Sequence, residues 1–234
     1  MPYETTDAGA HGGLLHTVPF LSSLPTDEMA FLAAGLRRRT FRRNEVIFHR
    51  DDPGSILYVI VSGLVKISLQ NEEGSEVTLA LFGPGDFFGE MALLDDLPRS
   101  ATATSVEYSE VVTLGREQFL AAIEQHPRIA SQVMAALSYR LRSADQMIED
   151  IVTRDIAERL ARKLVEIAEQ HGTPTTGGIE VQAHLTQQDL GSMVGATRES
   201  VNKVLRAYIV KGWISMDGQR MTIHRLDELR RRVY

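Results

Sequence analysis

The stretch GDFFGEMALLDDLPRSATATS, from Gly85 to Ser105, carries the side chains best suited to chemistry on a small molecule. Gly89 and Glu90 come first, and Arg99 and Ser100 follow nine residues after Glu90. A glycine lets backbone approach a ligand closely. A glutamate accepts a hydrogen bond from a sugar hydroxyl, and an arginine beside a hydroxyl can fork onto a phosphate. Together they describe a pocket for a small sugar phosphate rather than a generic loop.

A second constellation lies in LTQQDLGSMVGATRESVNKVLRAYIVKGWI, Leu185 to Ile214. Thr186 with Asp189 three residues later makes a capping box. The first helix is expected to run to Val194, Gly195 to supply a left-handed turn, and Thr197 to cap a second helix from Arg198 to about Val210. Leu190, Val194, Val201 and Leu205 are spaced to lock the two helices together. This is the pattern of a helix-turn-helix. In that motif the N-terminal turn of the second helix enters the major groove, which points Arg198, Glu199 and, one turn on, Lys203 toward base edges. Arg and Lys suit guanine O6 and N7, and Glu suits the cytosine amino group. Thr186, Gln187, Gln188, Thr197 and Ser200 are short donors able to hold phosphates.

These residues need elements to position them. From Phe41 to Val112 the segments NEVIF, ILYVIVSG, LVKISLQ, EVTLALF and ATATSVEYSEVVTL are rich in β-formers and separated by DDPGS, NEEGS, GPGD and DDLPRS, which are turn chemistry. That spacing predicts a sandwich or barrel, here a jelly roll. Gly54, Gly63, Gly74, Gly83 and Gly85 are read as corners only. Before the roll, residues 1 to 14 form an expected arm, and Val18 to Leu36 reads as one or two short helices. After it, helical spacing runs from Arg116 to about Thr153. Leu137, Leu141, Ala144, Ile148 and Ile151 recur at heptad intervals, which predicts a two-stranded seam and hence a homodimer; the stretch is only about two heptads, so packing against its own domain is the competing account. AERLARKLVEIAEQHG is an amphipathic helix closed by Gly172 as a C-cap. TPTTGG reads as a loop, IEVQAHL as a short strand, and WISMDGQRMTIHR as a hairpin around Asp217 and Gly218.

Composition bounds the possibilities. The 234 residues favour two domains, and 43% apolar content suffices for packed cores. No long apolar run or cleavable leader is present, so no membrane partner is expected and the chain is read as cytoplasmic. The absence of cysteine excludes disulfides, thiol nucleophiles and cysteine-ligated Fe–S clusters. The net charge of −6 is unevenly spread. From Arg154 onward 13 Lys and Arg stand against 10 Asp and Glu, a net +3, and the remainder carries 12 against 21, a net −9. An acidic body with a mildly basic tail suits a regulator that touches double-stranded DNA with one end. No catalytic or metal-binding constellation accompanies the pocket: there is no Ser-His-Asp or Walker pattern, and no metal-ligand spacing near Glu90 and Arg99. An enzyme is therefore not expected.

The cassette, the long helix and the winged tail, in that order, resemble the CRP/FNR superfamily of transcription regulators over roughly residues 15 to 234. GATRESVNKVL is especially similar to the matching segment of cyclic-AMP receptor proteins. The resemblance implies an α+β chain with a jelly-roll cyclic-nucleotide-binding domain over 15–128, a dimerisation helix over 129–153 and a winged helix-turn-helix domain over 154–234. By that kinship Glu90 would hold the ribose 2′-hydroxyl. Arg99 and Ser100 would hold the cyclic phosphate, with backbone around Gly89, Met91, Ala92 and Ala101. Ile67 and Leu79 would wall the base. Arg140, at the start of the dimer helix, would link pocket to helix. The effector would be cyclic AMP, the DNA site a palindrome of TGTGA-like half-sites read by Arg198, Glu199 and Lys203, and RNA polymerase a further partner.

The departure lies further along the same helix. Where cyclic-AMP receptors present Thr followed by Ser or Asn toward the adenine amino group, this chain has Ala144 and Asp145. Ala144 offers no hydrogen bond. Asp145 is an acceptor only, able to take adenine N6 or the N1–H and N2–H of guanine. Cyclic GMP, another nucleotide, or a ligand-independent DNA binder with a degenerate pocket thus stay open. Haem sensing through His16, His49 or His126 is open too, although nothing places them near the pocket.

Overall fold

A computed structural model of the chain describes residues 35–71, 75–181, 185–218 and 220–233. The expected arm over 1–14 and nearly all of the helical stretch over 18–36 lie outside them. The chain divides into two compact units, one formed by residues up to 69 with 80–141, the other by 70–79 with 142–234.

The first unit is built on strands β1 Arg37–Phe41, β2 Val46–Phe48, β3 Ile56–Ser62, β4 Val65–Gln70, β5 Glu76–Phe82, β6 Phe87–Phe88, β7 Thr102–Ser105 and β8 Ser109–Gly115. They form two four-stranded sheets, β1-β8-β3-β6 and β2-β7-β4-β5, with antiparallel pairing. β5 crosses the boundary between the two units at Leu79 and Ala80. The apolar run ILYVIVS explains the layering, because alternate residues of a strand face opposite sides. On β3, Tyr58 and Ile60 join Phe41, Val65, Phe88, Ala103 and Val111 in a core contributed by strands of both sheets. Leu57 and Val59 face the other way and meet Phe87, Val112 and Leu114 with helix residues Phe119, Ala122, Ile129 and Val133. A strand buried on both faces reads as continuous rather than alternating apolar. The roll expected from the turn spacing is present, with three differences. RRRTF forms β1 despite its charge, pairing Arg37 to Phe41 with Thr113 to Ser109. ATATSVEYSEVVTL is two strands, β7 and β8. The cassette itself contains β6 and a short helix, α1 Met91–Leu94.

The helical stretch after the roll is two helices, α2 Arg116–Gln125 and α3 Pro127–Thr153. Pro127 opens α3, where its missing N–H costs nothing and its fixed φ is already helical. Arg140 is therefore in the middle of the long helix, not at its start. Leu137 packs toward the first unit's core. Leu141, Ala144, Ile148 and Ile151 of the expected seam are exposed, and Met134, Tyr139 and Val152 add to the exposed apolar surface of α3.

The second unit centres on α4 Ile156–His171, whose N-terminus is fixed by a reciprocal capping box between Asp155 and Glu158. Gly172 ends α4 in extended rather than left-handed conformation. A Cβ there would stand 2.3 Å from the Ala168 carbonyl oxygen, so glycine is needed for close approach. It also opens β9 Gly172–Thr175, which pairs with β10 Gly178–Val181, so TPTTGG is partly strand rather than loop. β11 Ile214–Asp217 and β12 Arg220–Ile223 form the expected hairpin and join β10, giving the order β11-β12-β10-β9. A helix not expected from the turn chemistry, α7 Leu226–Val233, buries Leu229 and Val233 and packs on α4. Its signal was the spacing of Leu226, Leu229 and Val233 between exposed charges.

Candidate nucleotide pocket and nucleic-acid interface

Arg99 lies deep in the first unit, 4% exposed. Its guanidinium donates from Nη1 to the Gly89 carbonyl at 2.7 Å and from Nη2 to the Ile56 carbonyl at 2.8 Å. Its Nε is buried with no partner. The plane sits over the Phe48 ring at 4.3 Å, and Tyr58 and Phe88 stack behind at 5.1 Å. Burial lowers the Arg99 pKa from its usual value, opposed by the charge fields of Tyr58, Glu90 and Asp52. The Arg99 backbone is pinned as well, donating to the Asp52 carbonyl and accepting from Asp51 N–H, each at 2.9 Å. Gly89 has φ +84°, and a Cβ there would lie 2.6 Å from Arg99 Nη1. Gly54, read from sequence as a plain corner, belongs to the same seat. A Cβ on it would lie 2.8 Å from Arg99 Nε.

Glu90 is 2% exposed and precedes α1. Its Oε1 accepts from Arg140 Nη1 at 2.6 Å, while Arg140 Nη2 donates to the Phe87 carbonyl. The Arg140 guanidinium also lies over the Phe82 ring at 4.3 Å. A carboxylate has two oxygens and about four lone-pair sites, so this pairing leaves Glu90 able to accept a hydroxyl. Gly89, Glu90, Arg99 and Arg140 are thus brought together. Ala92 and Ala101 are buried, and Met91 and Ser100 are exposed, with the Ser100 hydroxyl 3.5 Å from Met91 Sδ. Ile67 is half-buried against the inter-sheet core. Leu79, at 46% exposure, falls with the second unit, as do Ala144 and Asp145, both exposed on α3. The unsignalled contributors are Phe48 and Tyr58, aromatic residues on separate strands whose approach to Arg99 no local spacing encodes.

In the second unit, α5 Gln187–Val194 and α6 Arg198–Val210 form the two-helix motif. Gly195 takes φ 60° and ψ 44°, the left-handed turn. Gly191 is essential too, because a Cβ on it would lie 2.8 Å from the Ala196 carbonyl oxygen. Leu190, Val194, Val201 and Leu205 are all buried, as the spacing requires. Two of the expected phosphate donors are engaged in capping. Thr186 Oγ1 donates to Asp189 Oδ2 at 2.6 Å and accepts from Asp189 N–H at 3.1 Å. Thr197 Oγ1 accepts from Ser200 N–H at 3.2 Å and donates to Ser200 Oγ at 3.0 Å. Gln187 is half-buried and Gln188 exposed. Arg198, Glu199 and Lys203 are exposed on the first two turns of α6, and Arg206, three residues after Lys203, joins their face. Tyr208 anchors the opposite face, donating to the Ala157 carbonyl at 2.6 Å. Burial pushes its pKa up to about 12.

Two families match these two sites. The cyclic nucleotide-binding domain matches residues 38–126, and the Crp-like helix-turn-helix domain matches residues 158–232. A CRP-like cAMP-activated global transcriptional regulator of Mycobacterium tuberculosis is 34% identical over 205 residues, covering 88% of this chain and 92% of that protein. This chain belongs to the CRP/FNR family of transcription regulators. The cyclic AMP receptor protein of Thermus thermophilus is 33% identical over 198 residues, covering 85% and 88%. Among solved structures, the CRP-family regulator TTHB099 of Thermus thermophilus superposes with a TM-score of 0.72 at 26% identity, covering 83% of this chain and 96% of that one. The c-di-GMP responsive regulator CLP of Xanthomonas campestris shares the fold at a TM-score of 0.75 and 23% identity, covering 86% and 99%. This CRP/FNR protein is accordingly a cyclic nucleotide-responsive, DNA-binding transcription regulator and not an enzyme. Among the described residues no helix is long and apolar enough to cross a membrane, and no three His, Asp or Glu are grouped to hold a metal. His49 is exposed, His126 is half-buried at the end of α2, and His16 lies outside the described residues.

Proposed function

We propose that this regulator takes cyclic AMP in the seat formed by Gly89, Glu90, Arg99 and Ser100, and in response reads a palindromic TGTGA-like site as a homodimer. The observation that carries the reading is the buried Arg99 held against Gly89 beside Glu90, a phosphate-matching fork next to a hydroxyl acceptor. Ribose would bond to Glu90, and the cyclic phosphate to Arg99 and Ser100, with backbone at Met91, Ala92 and Ala101 close by. Ile67 would wall the base. The exposed Met134, Leu141, Ile148, Ile151 and Val152 support a dimer, since large apolar residues left exposed along one helix favour a partner helix. Arg198, Glu199 and Lys203 would read base edges, with Thr186, Gln187, Gln188, Thr197 and Ser200 near the phosphates. RNA polymerase contact is expected from kinship with the activators.

A second reading, cyclic GMP, is favoured by one position. Asp145 lies four residues after Leu141 and three before Ile148, within the exposed stripe where a base would be read. Its carboxylate matches the N1–H and N2–H pair of guanine better than a single amino group. Asp145→Ser is expected to shift preference toward cyclic AMP, measured by calorimetry with both nucleotides on the purified protein. Equal affinity ratios before and after the change would remove Asp145 from base recognition.

A further inference from the structure

Beside the recognition helix the second unit contains an open cleft of about 670 Å³, floored by the start of α4 and walled by α6. Its lining is strongly cationic: Arg154, Arg159, Lys203, Lys211 and Arg232 against the single carboxylate of Asp155. Two of these cations are already matched. Arg154 pairs with Asp150 at 3.0 Å and donates to the Val233 carbonyl at 2.5 Å, and Arg232 lies 3.6 Å from Asp155. Among the described residues the other three have no carboxylate partner in the cleft. Arg159 has only a long contact from Nη1 to the Ile151 carbonyl at 3.4 Å, and its Nε is buried without an acceptor. Lys211 rests over the Trp213 ring at 4.5 Å, which fixes its stem without neutralising its charge. Lys203 is exposed at the cleft's edge on the face of α6 that carries Arg198 and Glu199. The Ser200 hydroxyl completes the lining.

We propose that this cleft is a phosphate-binding site separate from the nucleotide pocket, built on Arg159 and Lys211 with Lys203 at its mouth. Three cations in one concavity without a carboxylate partner among the described residues favour a group with several anionic acceptor oxygens. Apolar Ile151, Ile156 and Val204 line the same space. That group is a phosphoryl, contributed either by a DNA backbone running past α6 or by a free phosphate ester. A free ester would draw Lys203 away from bases and oppose DNA binding. The site overlaps the proposed DNA face at Lys203 and Ser200, so the test avoids both residues.

The experiment uses full-length protein and an Arg159→Met, Lys211→Gln double variant, with Arg159→Lys, Lys211→Arg as the charge-preserving control for folding. Inorganic pyrophosphate binding is measured by calorimetry. Anisotropy gives affinity for a palindromic and a scrambled duplex across a salt series. If the source is DNA, the double variant weakens both duplexes alike and lowers the salt slope by about one per cation removed. If the source is free phosphate, pyrophosphate binds the wild type and competes with duplex, and the double variant binds it at least tenfold more weakly. The control retains binding in either case. A double variant that matches the wild type in pyrophosphate affinity and in both salt slopes overturns the proposal. Arg198→Ala, measured alongside, separates this from the DNA reading. It should erase preference for the palindrome while leaving the pyrophosphate result untouched.

Discussion

Arg99→Ala is expected to weaken cyclic nucleotide binding by about 100-fold or more, because it removes a forked, charge-assisted pair worth about 1.5–3 kcal/mol per hydrogen bond. The same substitution should lower the melting temperature. Arg99 is not waiting in solvent for a phosphate. It is wedged over Phe48 and holds the carbonyls of Gly89 and Ile56, and truncation strips both of their donor. A buried acceptor left unpaired costs about 1–3 kcal/mol. Arg99→Lys keeps the charge but cannot reach both carbonyls with a planar fork, so it should recover part of the stability and less of the affinity. Calorimetry with cyclic AMP and thermal unfolding of the same samples separate the two effects. Unchanged affinity in Arg99→Ala would remove the phosphate role, whatever happened to stability.

Arg198→Ala should behave in the opposite way, costing recognition and not stability. Arg198 is exposed on the first turn of α6, and the cap that starts the helix is supplied by Thr197, which the substitution leaves in place. Loss of a forked contact to guanine costs about 1–3 kcal/mol, roughly 5- to 150-fold in affinity. That loss should appear on a palindromic duplex and be much smaller on a scrambled one, with the melting temperature unchanged. An equal fall on both duplexes would make Arg198 a backbone contact.

What could be read from sequence follows from how local each signal is. The two-helix motif was legible almost residue by residue, because capping boxes, a left-handed glycine and an apolar spacing of three and four are all local devices. Thr186, Asp189, Gly195 and Thr197 each sit where those devices place them. The cassette was legible as chemistry but not as geometry. Nothing near Arg99 in sequence announces that Ile56, Phe48 and Gly54 converge on its guanidinium, since that meeting depends on strands paired far apart in the chain. The ion pair of Arg140 with Glu90 across 50 residues is of the same kind. β1 was missed because RRRTF is charged, yet its strand character comes from pairing with β8 rather than from its own side chains. Heptad counting cannot tell a face turned to a partner from one turned to its own core: of the expected seam, Leu141, Ala144, Ile148 and Ile151 are exposed, while Leu137 packs against the core of its own unit.

The most direct test of the central claim is the affinity of full-length protein for a fluorescent palindromic TGTGA-like duplex, measured by anisotropy with and without saturating cyclic nucleotide at one fixed salt concentration. If the Glu90 and Arg99 seat controls the Arg198, Glu199 and Lys203 surface, cyclic AMP or cyclic GMP should tighten binding at least tenfold, with little change on a scrambled duplex. Affinity for the palindrome that is the same with no nucleotide, with cyclic AMP and with cyclic GMP would contradict it.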